Sequence, residues 1–395
     1  MLGLAEPSNL ETLLKTNAAE KLAAVKTAAP TGWERGNERI GDKGFGSTGA
    51  MEPGETTEEK DLLKRAGFDP ADWAIVGDVQ YREWDANIGG GEIKTMQYRR
   101  FAVRKKVRTE HGFEDLLTSV KRRRYKPVGQ TGRGTFQFSN GDWQLGKVDG
   151  DGTAGTVDRI LQSIDNAAAE FRVQRKRGKP FAHLTFLGDC MEGMVSQGGK
   201  NMWRTELTVT EQLRLMRRLM LHAIDQFAPL TERLSVVSVP GNHDEAIREP
   251  GMTTYDDSFA VDSLIAVQDA MSMNPASYGH VKTYVPQRDS LTVTMDVNGT
   301  VITHAHGHQW RPNRHWDWWQ GQSFEPGSDI GKSQLLLAAH GHHFMVDTKG
   351  SRRYVMNPAQ ESESTWWKNK TGDHGAPGAL TFWTEEGRSG GFTIV

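Results

Sequence analysis

Four apolar, strand-like segments of this chain each end at a glycine or at a side chain that can bind a metal ion. Taken in chain order, these ends are Gly141-Asp142, Gly188-Asp189, Gly241-Asn242 and His304-Ala305-His306. Helical apolar patterns over residues 157–172 and 206–226 separate the first three segments. Strands that alternate with helices in this way predict a layered α/β domain.

The chain becomes richer in strands after the third segment. Residues 291–297 and 300–303 flank Asn298-Gly299, a dipeptide typical of tight β-hairpin turns. Two further strand-like stretches, at residues 379–383 and 391–395, close the chain. The expected fold class is therefore mixed, α/β with α+β character.

Length and composition limit the class of protein. The 395 residues exceed what one ordinary small domain needs and suggest two or three domains. With 36% hydrophobic residues and no apolar run near the roughly 20 residues of a spanning helix, a soluble protein is expected rather than a membrane protein. Because the N-terminus lacks a signal-peptide pattern and Cys190 is the single cysteine, we expect a reducing, cytoplasmic compartment.

The near-neutral formal charge of −2 conceals a basic segment. Between Tyr98 and Lys126, eleven Lys or Arg stand against three acidic residues, a surplus of eight. Arg122, Arg123 and Arg124 are candidates for contact with nucleic-acid phosphates, and a solvated protein surface is the equally weighted alternative.

The chain is divided into three regions by these patterns. Residues 1–56 are interpreted as a flexible N-terminal segment and linker, with one helical pattern from Asn9 to Ala29. A short helix within residues 57–68 and a strand from Trp73 then open a basic accessory domain over residues 57–130. Residues 131–395 form the domain that carries the polar strand ends.

The strand ends supply five short motifs in a fixed order: Asp142-x-Gln144, Gly188-Asp189-x-x-Glu192, Gly241-Asn242-His243-Asp244, His306, and His340-x-His342. This order resembles the calcineurin-like metallophosphoesterases, whose signature runs Asp-x-His, Gly-Asp-x-x-Asp/Glu, Gly-Asn-His-Asp/Glu, His and Gly-His-x-His. Phage-encoded members are the most similar, because their first motif often reads Asp-x-Gln-x-Gly-Lys, as residues 142–147 do. The resemblance covers roughly residues 132–395 and implies a four-layer α/β-β-α sandwich with a small N-terminal accessory region.

The resemblance also implies two divalent metal ions that share the Asp189 carboxylate. The first ion would take Asp142, Asp189 and His342, with Gln144 as a further candidate. The second would take Asp189, Asn242, His306 and His340. Mixed imidazole and oxygen ligands suit Mn, Fe, Zn or Co better than Mg, and Mn²⁺ is the first choice.

The same resemblance implies a chemical role for the pair of ions and for two neighbouring residues. A water held between the ions would be acidified to hydroxide and aligned for in-line attack on phosphorus. His243 would act as general acid or charge stabiliser at the leaving oxygen, and Asp244 could orient its ring.

Several positions keep alternative interpretations. Gln144 replaces the usual histidine, so it either binds metal directly or only supports a ligand. A register of the last motif that begins at Gly341 would place Phe344 where a histidine belongs, and the unshifted register is preferred. His304 and His308 could substitute for His306 or face solvent. Asp78-x-Gln80 mimics the first motif but lies 111 residues before Asp189, against 47 for Asp142, and is taken as coincidence.

Three more residues or segments have a purely structural interpretation beside a functional one. Glu192 is expected to support the site rather than bind metal, and Cys190 is expected in the core. The stretch from Trp310 to Trp319 interleaves tryptophan with arginine. Core packing is the commoner fate of tryptophan, but the polar composition favours a loop or lid that could stack on bases.

The sequence therefore predicts a metal-dependent phosphodiesterase acting on a phosphate ester, with DNA or RNA as the expected partner and no membrane. A phosphomonoesterase or a cyclic-nucleotide phosphodiesterase is the alternative enzyme. A non-catalytic nucleic-acid-binding protein with a degenerate metal site is the alternative from another class. If the protein is phage-encoded, the host cytoplasm is its expected location.

Overall fold

The computed structural model describes residues 36–40, 43–54, 58–87, 93–105, 113–129, 132–195, 205–247, 253–362, 369 and 375–395. It divides into a smaller unit that ends at Arg108 and a larger unit that begins at Thr109. Each unit has its own hydrophobic core. The helix predicted from Asn9 to Ala29 lies outside the described residues.

The smaller unit is built on a four-stranded antiparallel sheet with the strand order β1-β2-β4-β3. Its elements are β1 (Gly36–Ile40), β2 (Lys43–Ser47), α1 (Glu59–Arg65), β3 (Trp73–Asn87) and β4 (Ile93–Lys105). Leu62 and Leu63 of α1 are buried and pack with Trp73 and Phe101 of the sheet. The helix and the strand predicted in this region are therefore present, and the strand is longer than predicted.

The interpretation of residues 1–56 as a flexible segment and linker is wrong for residues 36–40 and 43–47, which form two paired strands. The glycines in this segment permit close packing. A Cβ on Gly46 would lie 2.7 Å from the ring of Phe101. The division between the units also falls at residues 108 and 109 instead of after residue 130. The reason is that the amide of Asn274 in the larger unit donates hydrogen bonds to the carbonyls of Val120 and Arg123.

The larger unit contains the remaining elements. In chain order they are α2 (Phe113–Arg122), β5 (Thr135–Asn140), α3 (Gly152–Lys176), β6 (Phe181–Phe186), α4 (Val209–Phe227), β7 (Leu234–Ser238), α5 (Phe259–Ser272), α6 (Pro275–Tyr278), β8 (Val281–Tyr284), β9 (Val293–Asp296), β10 (Val301–His304), α7 (His315–Ser323), β11 (Leu335–Ala338), β12 (Met345–Lys349), β13 (Arg352–Met356), β14 (Leu380–Glu385) and β15 (Arg388–Ile394). Among the described residues, no helix is both long enough and apolar enough to cross a membrane.

Two sheets organise the larger unit. The six-stranded sheet has the order β15-β14-β5-β6-β7-β8, and β5 to β8 run parallel to one another. The five-stranded sheet has the order β12-β13-β11-β10-β9, with β10, β11 and β13 parallel. The predicted hairpin is present: Asn298 and Gly299, with φ values of 53° and 86°, turn the chain between β9 and β10.

The sheets pack face to face, and helices cover their outer faces. Along β11, Leu335 and Leu337 lie in the core between the sheets, whereas Leu336 and Ala338 pack on the opposite side with Trp319 of α7. This alternation follows from the two-residue period of a strand. On the other sheet, rings of β5 stack against Phe227 of α4. The result is the predicted four-layer α/β-β-α sandwich.

Candidate metal centre

The candidate residues meet at the carboxyl ends of strands from both sheets. Asp142 follows β5, Asp189 follows β6, Asn242 follows β7, His306 follows β10, and His340 and His342 follow β11. Ligand sites of α/β sheets are usually found at this end of the strands, because successive loops converge there.

Backbone strain is concentrated at these residues. Of the nine non-glycine residues with positive φ in the described part of the chain, five belong to the predicted motifs: Asp142, Gln144, Asp189, His340 and His342, with φ between 42° and 68°. The left-handed conformation is unfavourable for such residues unless the surrounding structure enforces it, and it is enriched at functional sites. Hydrogen bonds from the Asp142 amide to the Gly188 carbonyl and from the Gln144 amide to the Asp189 carbonyl hold the first two loops together.

Two glycines let the loops approach each other. A Cβ on Gly241 would lie 2.1 Å from the backbone nitrogen and from Oδ1 of Asp189. Gly188 has a φ of 83°, and a Cβ there would lie 2.6 Å from the backbone of Gly241. These contacts are shorter than any real Cβ contact, so the motif glycines are needed for Asp189 and Asn242 to lie side by side.

Three side-chain atoms converge around Nε2 of His306, which makes a group of four. Its Nε2 lies 3.1 Å from Asp189 Oδ2, 3.2 Å from Asn242 Oδ1 and 3.2 Å from His340 Nδ1. The ligand atoms of Asp189, His306 and His340 all lie within 4.8 Å of one another. Ligands bound to one ion at 2.0–2.2 Å stand about 3.0–3.5 Å apart, so these spacings fit one metal ion with two nitrogen and two oxygen ligands.

The ring of His306 is held in the orientation that a metal ligand needs. Its Nδ1 donates a hydrogen bond to the Leu187 carbonyl at 2.6 Å, which directs Nε2 toward the other three atoms. Burial alone would lower the pKa of His306, yet the carboxylates of Asp189 and Asp142 raise it to about 9. The site therefore carries negative charge that favours a cation.

A second group lies beside the first. Asp142 is fully buried, and its Oδ1 lies 3.3 Å from His342 Nε2 and 4.0 Å from His306 Nε2. This oxygen accepts no well-aligned hydrogen bond from the described residues, which is costly for a buried carboxylate and is relieved by a bound cation. The unshifted register of the last motif thus brings both His340 and His342 to the site, whereas His343 donates from Nδ1 to the Gly341 carbonyl.

Glu361 supports His342 and is not marked by any local pattern of the sequence. Its Oε1 lies 2.7 Å from His342 Nδ1, and it also forms an ion pair with Lys147. Burial would raise the pKa of Glu361, but His342 and Lys147 hold it at about 2. A carboxylate on the outer nitrogen of an imidazole fixes its tautomer and directs the other nitrogen toward a ligand position, here toward Asp142.

Gln144 is buried near this second group, and its side chain already has a partner. The ammonium of Lys147 donates to Gln144 Oε1 at 2.7 Å. The structure therefore places Gln144 with Lys147 and Glu361, and the oxygen that would bind metal is engaged by a cation.

His243 lies at the edge of the first group. Its Nε2 is 3.9 Å from Asp189 Oδ2, its side chain keeps 17% exposure, and its backbone amide donates to Asp189 Oδ1 at 2.7 Å. Nδ1 lies 3.3 Å from the Glu192 carbonyl and 3.4 Å from the Glu192 carboxylate. Burial opposes protonation, but Asp189 and Glu192 raise the pKa of His243 to about 9.

The predicted role of Asp244 as the orienting partner of His243 is wrong in this structure, because Glu192 occupies that place. Asp244 is fully buried and accepts hydrogen bonds from the amides of Met191 and Gly241. It therefore ties together the two loops that carry Asp189 and His243. As predicted, Cys190 is buried in the core.

His304 does not substitute for His306. It is fully buried between the sheets, where its Nε2 lies 2.9 Å from His183 Nε2. His304 Nδ1 donates to the Val293 carbonyl, so its Nε2 accepts from His183, whose Nδ1 in turn accepts from Ser235. This chain satisfies two neutral imidazoles in the core. His308 is half-buried, with its ring centroid 5.4 Å from that of His306.

The prediction of a loop or lid between Trp310 and Trp319 is only partly met. Residues 315–323 form helix α7, and Trp319 is buried against the outer face of the five-stranded sheet. Trp310 packs against Trp318 with ring centroids 4.6 Å apart and the ring planes tilted by 47°. Tryptophan packing decides the conformation of most of this stretch, and residues 310–314 remain a polar loop beside it.

The candidate arginines of the basic segment are not equivalent. Arg123 forms a largely buried ion pair with Asp225 at 3.0 Å, and Asp225 also accepts a hydrogen bond from the Tyr278 hydroxyl. Arg124 donates to the carbonyls of Lys121 and Arg123, whereas Arg122 is exposed. Arg123 therefore anchors the end of α2, and its charge is not available to a phosphate.

No protein-family model and no curated protein sequence matches this chain. Solved structures that this chain matches include an archaeal phosphodiesterase at 9% identity, covering 66% of this chain and 100% of that one with a TM-score of 0.31. Vps29 of Entamoeba histolytica in complex with Zn²⁺ matches at 12% identity over 63% and 85%, TM-score 0.30. A predicted phosphoesterase from Streptococcus pneumoniae matches at 11% over 63% and 82%, TM-score 0.26. Because each TM-score lies below 0.5, these likenesses assign neither a family nor an activity.

Proposed function

We propose that this chain is a metal-dependent phosphoesterase of the calcineurin-like type that hydrolyses phosphodiester bonds of nucleic acid. The observation that carries the proposal is the convergence of Asp189, Asn242, His306 and His340 at the spacing of ligands around one ion. Asp142 and His342 adjoin this group and offer a second ion a buried carboxylate and an imidazole. Adjacent divalent ions would lower the pKa of a water and polarise the phosphoryl oxygens of a bound ester.

The ligand atoms favour a transition metal. Two imidazoles, one amide oxygen and one carboxylate are a poor match for Mg²⁺, which prefers oxygen ligands and water. We propose Mn²⁺ as the physiological ion, and Fe, Zn and Co are the competitors that metal-binding measurements would separate.

His243 is proposed to hold the proton that the leaving oxygen requires. Glu192 engages its Nδ1, so its Nε2 is directed to the side where Asp189 lies and where the ester would be bound. Its partial exposure leaves room for a substrate oxygen to reach Nε2. A positioned general acid of this kind contributes roughly 10²- to 10⁴-fold to a rate.

The proposed substrate class is supported by charge. Arg122 is an exposed cation of the larger unit, and Arg311 and Arg314 are exposed on the loop that follows His306. One guanidinium group can donate parallel hydrogen bonds to two oxygens of the same phosphate, and the backbone of DNA or RNA has a phosphate at every nucleotide.

The first test is hydrolysis of bis-p-nitrophenyl phosphate with added Mn²⁺. We expect activity in the wild type and in Asp78→Ala, a control taken from the motif-like sequence of the smaller unit. Asp189→Ala should lose both activity and bound metal, and His243→Ala should lose activity while keeping metal. Equal rates in all four proteins would rule out catalysis at this site and would favour a non-catalytic metal-binding protein.

The second test separates substrates. Labelled single- and double-stranded DNA and RNA are incubated beside p-nitrophenyl phosphate, a monoester. We expect cleavage of at least one polymer. Efficient monoester turnover with every polymer left intact would overturn the nucleic-acid assignment and favour a phosphomonoesterase.

A further inference from the structure

A groove lies beside the candidate metal centre on the outer side of the five-stranded sheet. It measures about 520 Å³ and is lined by Trp310, Arg311, Arg314, Asp317 and Trp318. Binding sites for small molecules usually have 300–1,000 Å³, so the groove is large enough for one nucleoside unit.

The groove and the candidate metal centre are connected through Gly307. Trp310 lies three residues after Gly307, and an added Cβ at Gly307 would lie 3.2 Å from His340 Cβ and 3.6 Å from the Trp310 ring. Gly307 directly follows His306. Trp310, one wall of the groove, therefore packs against the glycine that follows the candidate ligand His306, and the same glycine lies against the candidate ligand His340 of another loop.

The two arginines that line the groove differ in their ion pairs. Arg314 Nε forms an ion pair with Asp317 Oδ2 at 2.5 Å, which balances one positive charge. The guanidinium of Arg311 forms no ion pair with any residue in the part of the chain that the structure describes, and Arg311 is exposed. The groove thus combines half-buried indole rings with one uncompensated cation.

We propose that this groove binds a nucleotide of single-stranded nucleic acid next to the scissile phosphate, an inference that rests on the proposed function. A base packs against the face of Trp318, and Arg311 pairs with the adjoining backbone phosphate. Aromatic stacking with arginine at the backbone is how single strands are held without sequence preference. The groove would therefore position a polymer whose next phosphate lies at the metal centre.

The experiment measures binding apart from hydrolysis. Fluorescein-labelled oligothymidylate is titrated with the full chain in excess EDTA, and fluorescence anisotropy is followed at several salt concentrations. The variants are Trp318→Ala, Trp318→Phe and Arg311→Gln, with Arg172→Gln as a control for an exposed arginine on α3. Thermal unfolding of each variant checks that the groove mutations leave the fold intact.

Trp318→Ala should weaken binding by about 5- to 150-fold, as found when a stacked base loses its aromatic partner. Trp318→Phe should recover most of this loss, because a ring remains. Arg311→Gln should reduce the slope of log affinity against log salt by about 0.7, the value for one phosphate contact on a single strand. Arg172→Gln should match the wild type.

The inference is overturned if the wild type does not bind the oligonucleotide, or if Trp318→Ala and Arg311→Gln bind as tightly as Arg172→Gln. Its failure can be told from failure of the proposed function. If the protein hydrolyses bis-p-nitrophenyl phosphate but does not bind the single-stranded oligonucleotide, the proposed activity stands and the proposed nucleotide site is refuted. If it binds the oligonucleotide through the groove but hydrolyses no ester, the nucleotide site stands and the proposed activity is refuted.

Discussion

The ammonium of Lys147 lies 2.7 Å from Gln144 Oε1 and pairs on its other side with Glu361. A cation thus occupies the position from which the first motif would deliver a metal ligand. The ligand group around Asp189 and His306 has four protein atoms at coordination spacing, whereas the group around Asp142 and His342 has lost one candidate. The two metal positions should therefore differ in affinity.

Restoring an imidazole at residue 144 should strengthen the weaker position. We expect the wild type to retain roughly one Mn²⁺ per chain after gel filtration and Gln144→His to retain nearly two, because imidazole is a better ligand than an amide that is engaged by Lys147. Metal content is measured by inductively coupled plasma mass spectrometry.

Gln80→His provides the matched control, since Gln80 stands in the motif-like Asp78-x-Gln80 sequence on an exposed position of β3. It should leave the metal content unchanged. Identical stoichiometry in the wild type and in Gln144→His would show that Lys147 does not limit the second position.

Removing the charge of Glu361 should weaken metal binding without removing a ligand. In Glu361→Gln the Nδ1 of His342 loses its carboxylate partner and Lys147 loses its counter-ion. The ring of His342 is then held less firmly and its imidazole is less basic. Loss of such a supporting carboxylate typically lowers metal affinity by about 10- to 100-fold. Competition with a chelator measures this, and the exposed Glu325→Gln serves as control. An unchanged affinity would assign Glu361 to folding alone.

Substitutions of two neighbouring arginines should have different effects on stability and on the binding of nucleic acid. Arg123→Met should reduce the free energy of unfolding by about 3–5 kcal/mol, because it leaves the carboxylate of Asp225 buried without its positively charged partner. Arg122→Gln should leave stability unchanged and only weaken the binding of nucleic acid at low salt. Urea unfolding and oligonucleotide titration measure the two effects. A stable Arg123→Met protein would contradict the anchoring role.

The buried pair of His183 and His304 should make the larger unit sensitive to acid. Burial and the neighbouring His304 lower the pKa of His183 well below the 6.5 of an exposed histidine. As the pH falls through 6.5, the unfolded chain takes up a proton that the folded core rejects. Stability from the neutral form is therefore present above pH 6.5 and is lost below it, by up to about 1.4 kcal/mol per pH unit for one proton.

The pH effect is isolated by comparing the wild type with His183→Asn, which cannot titrate, in urea unfolding between pH 7.5 and 5 with EDTA in excess. The wild type should lose stability faster as the pH falls. Parallel curves would show that His183 is not neutral in the folded protein or is not buried.

The sequence by itself determined the layered fold of the larger unit and the positions of its candidate ligands. Asp142, Asp189, Asn242 and His306 each lie two to four residues after the end of a strand. The periodicity that predicts the strand therefore also predicts where along the chain the residue lies. The turn at Asn298-Gly299 was determined in the same local way, because two successive positive φ values suit few other dipeptides.

Only the tertiary structure decided which partners complete these groups. Glu361 reaches Lys147 across 214 residues of sequence, Arg123 reaches Asp225 across about a hundred, and His183 meets His304 from the other sheet. No local pattern encodes such contacts, because they depend on how sheets and helices pack. For the same reason, the strands at residues 36–40 and 43–47 were missed. These short, glycine-containing segments become strands because β1 pairs with β2 and β2 pairs with β4, and their own periodicity does not indicate this.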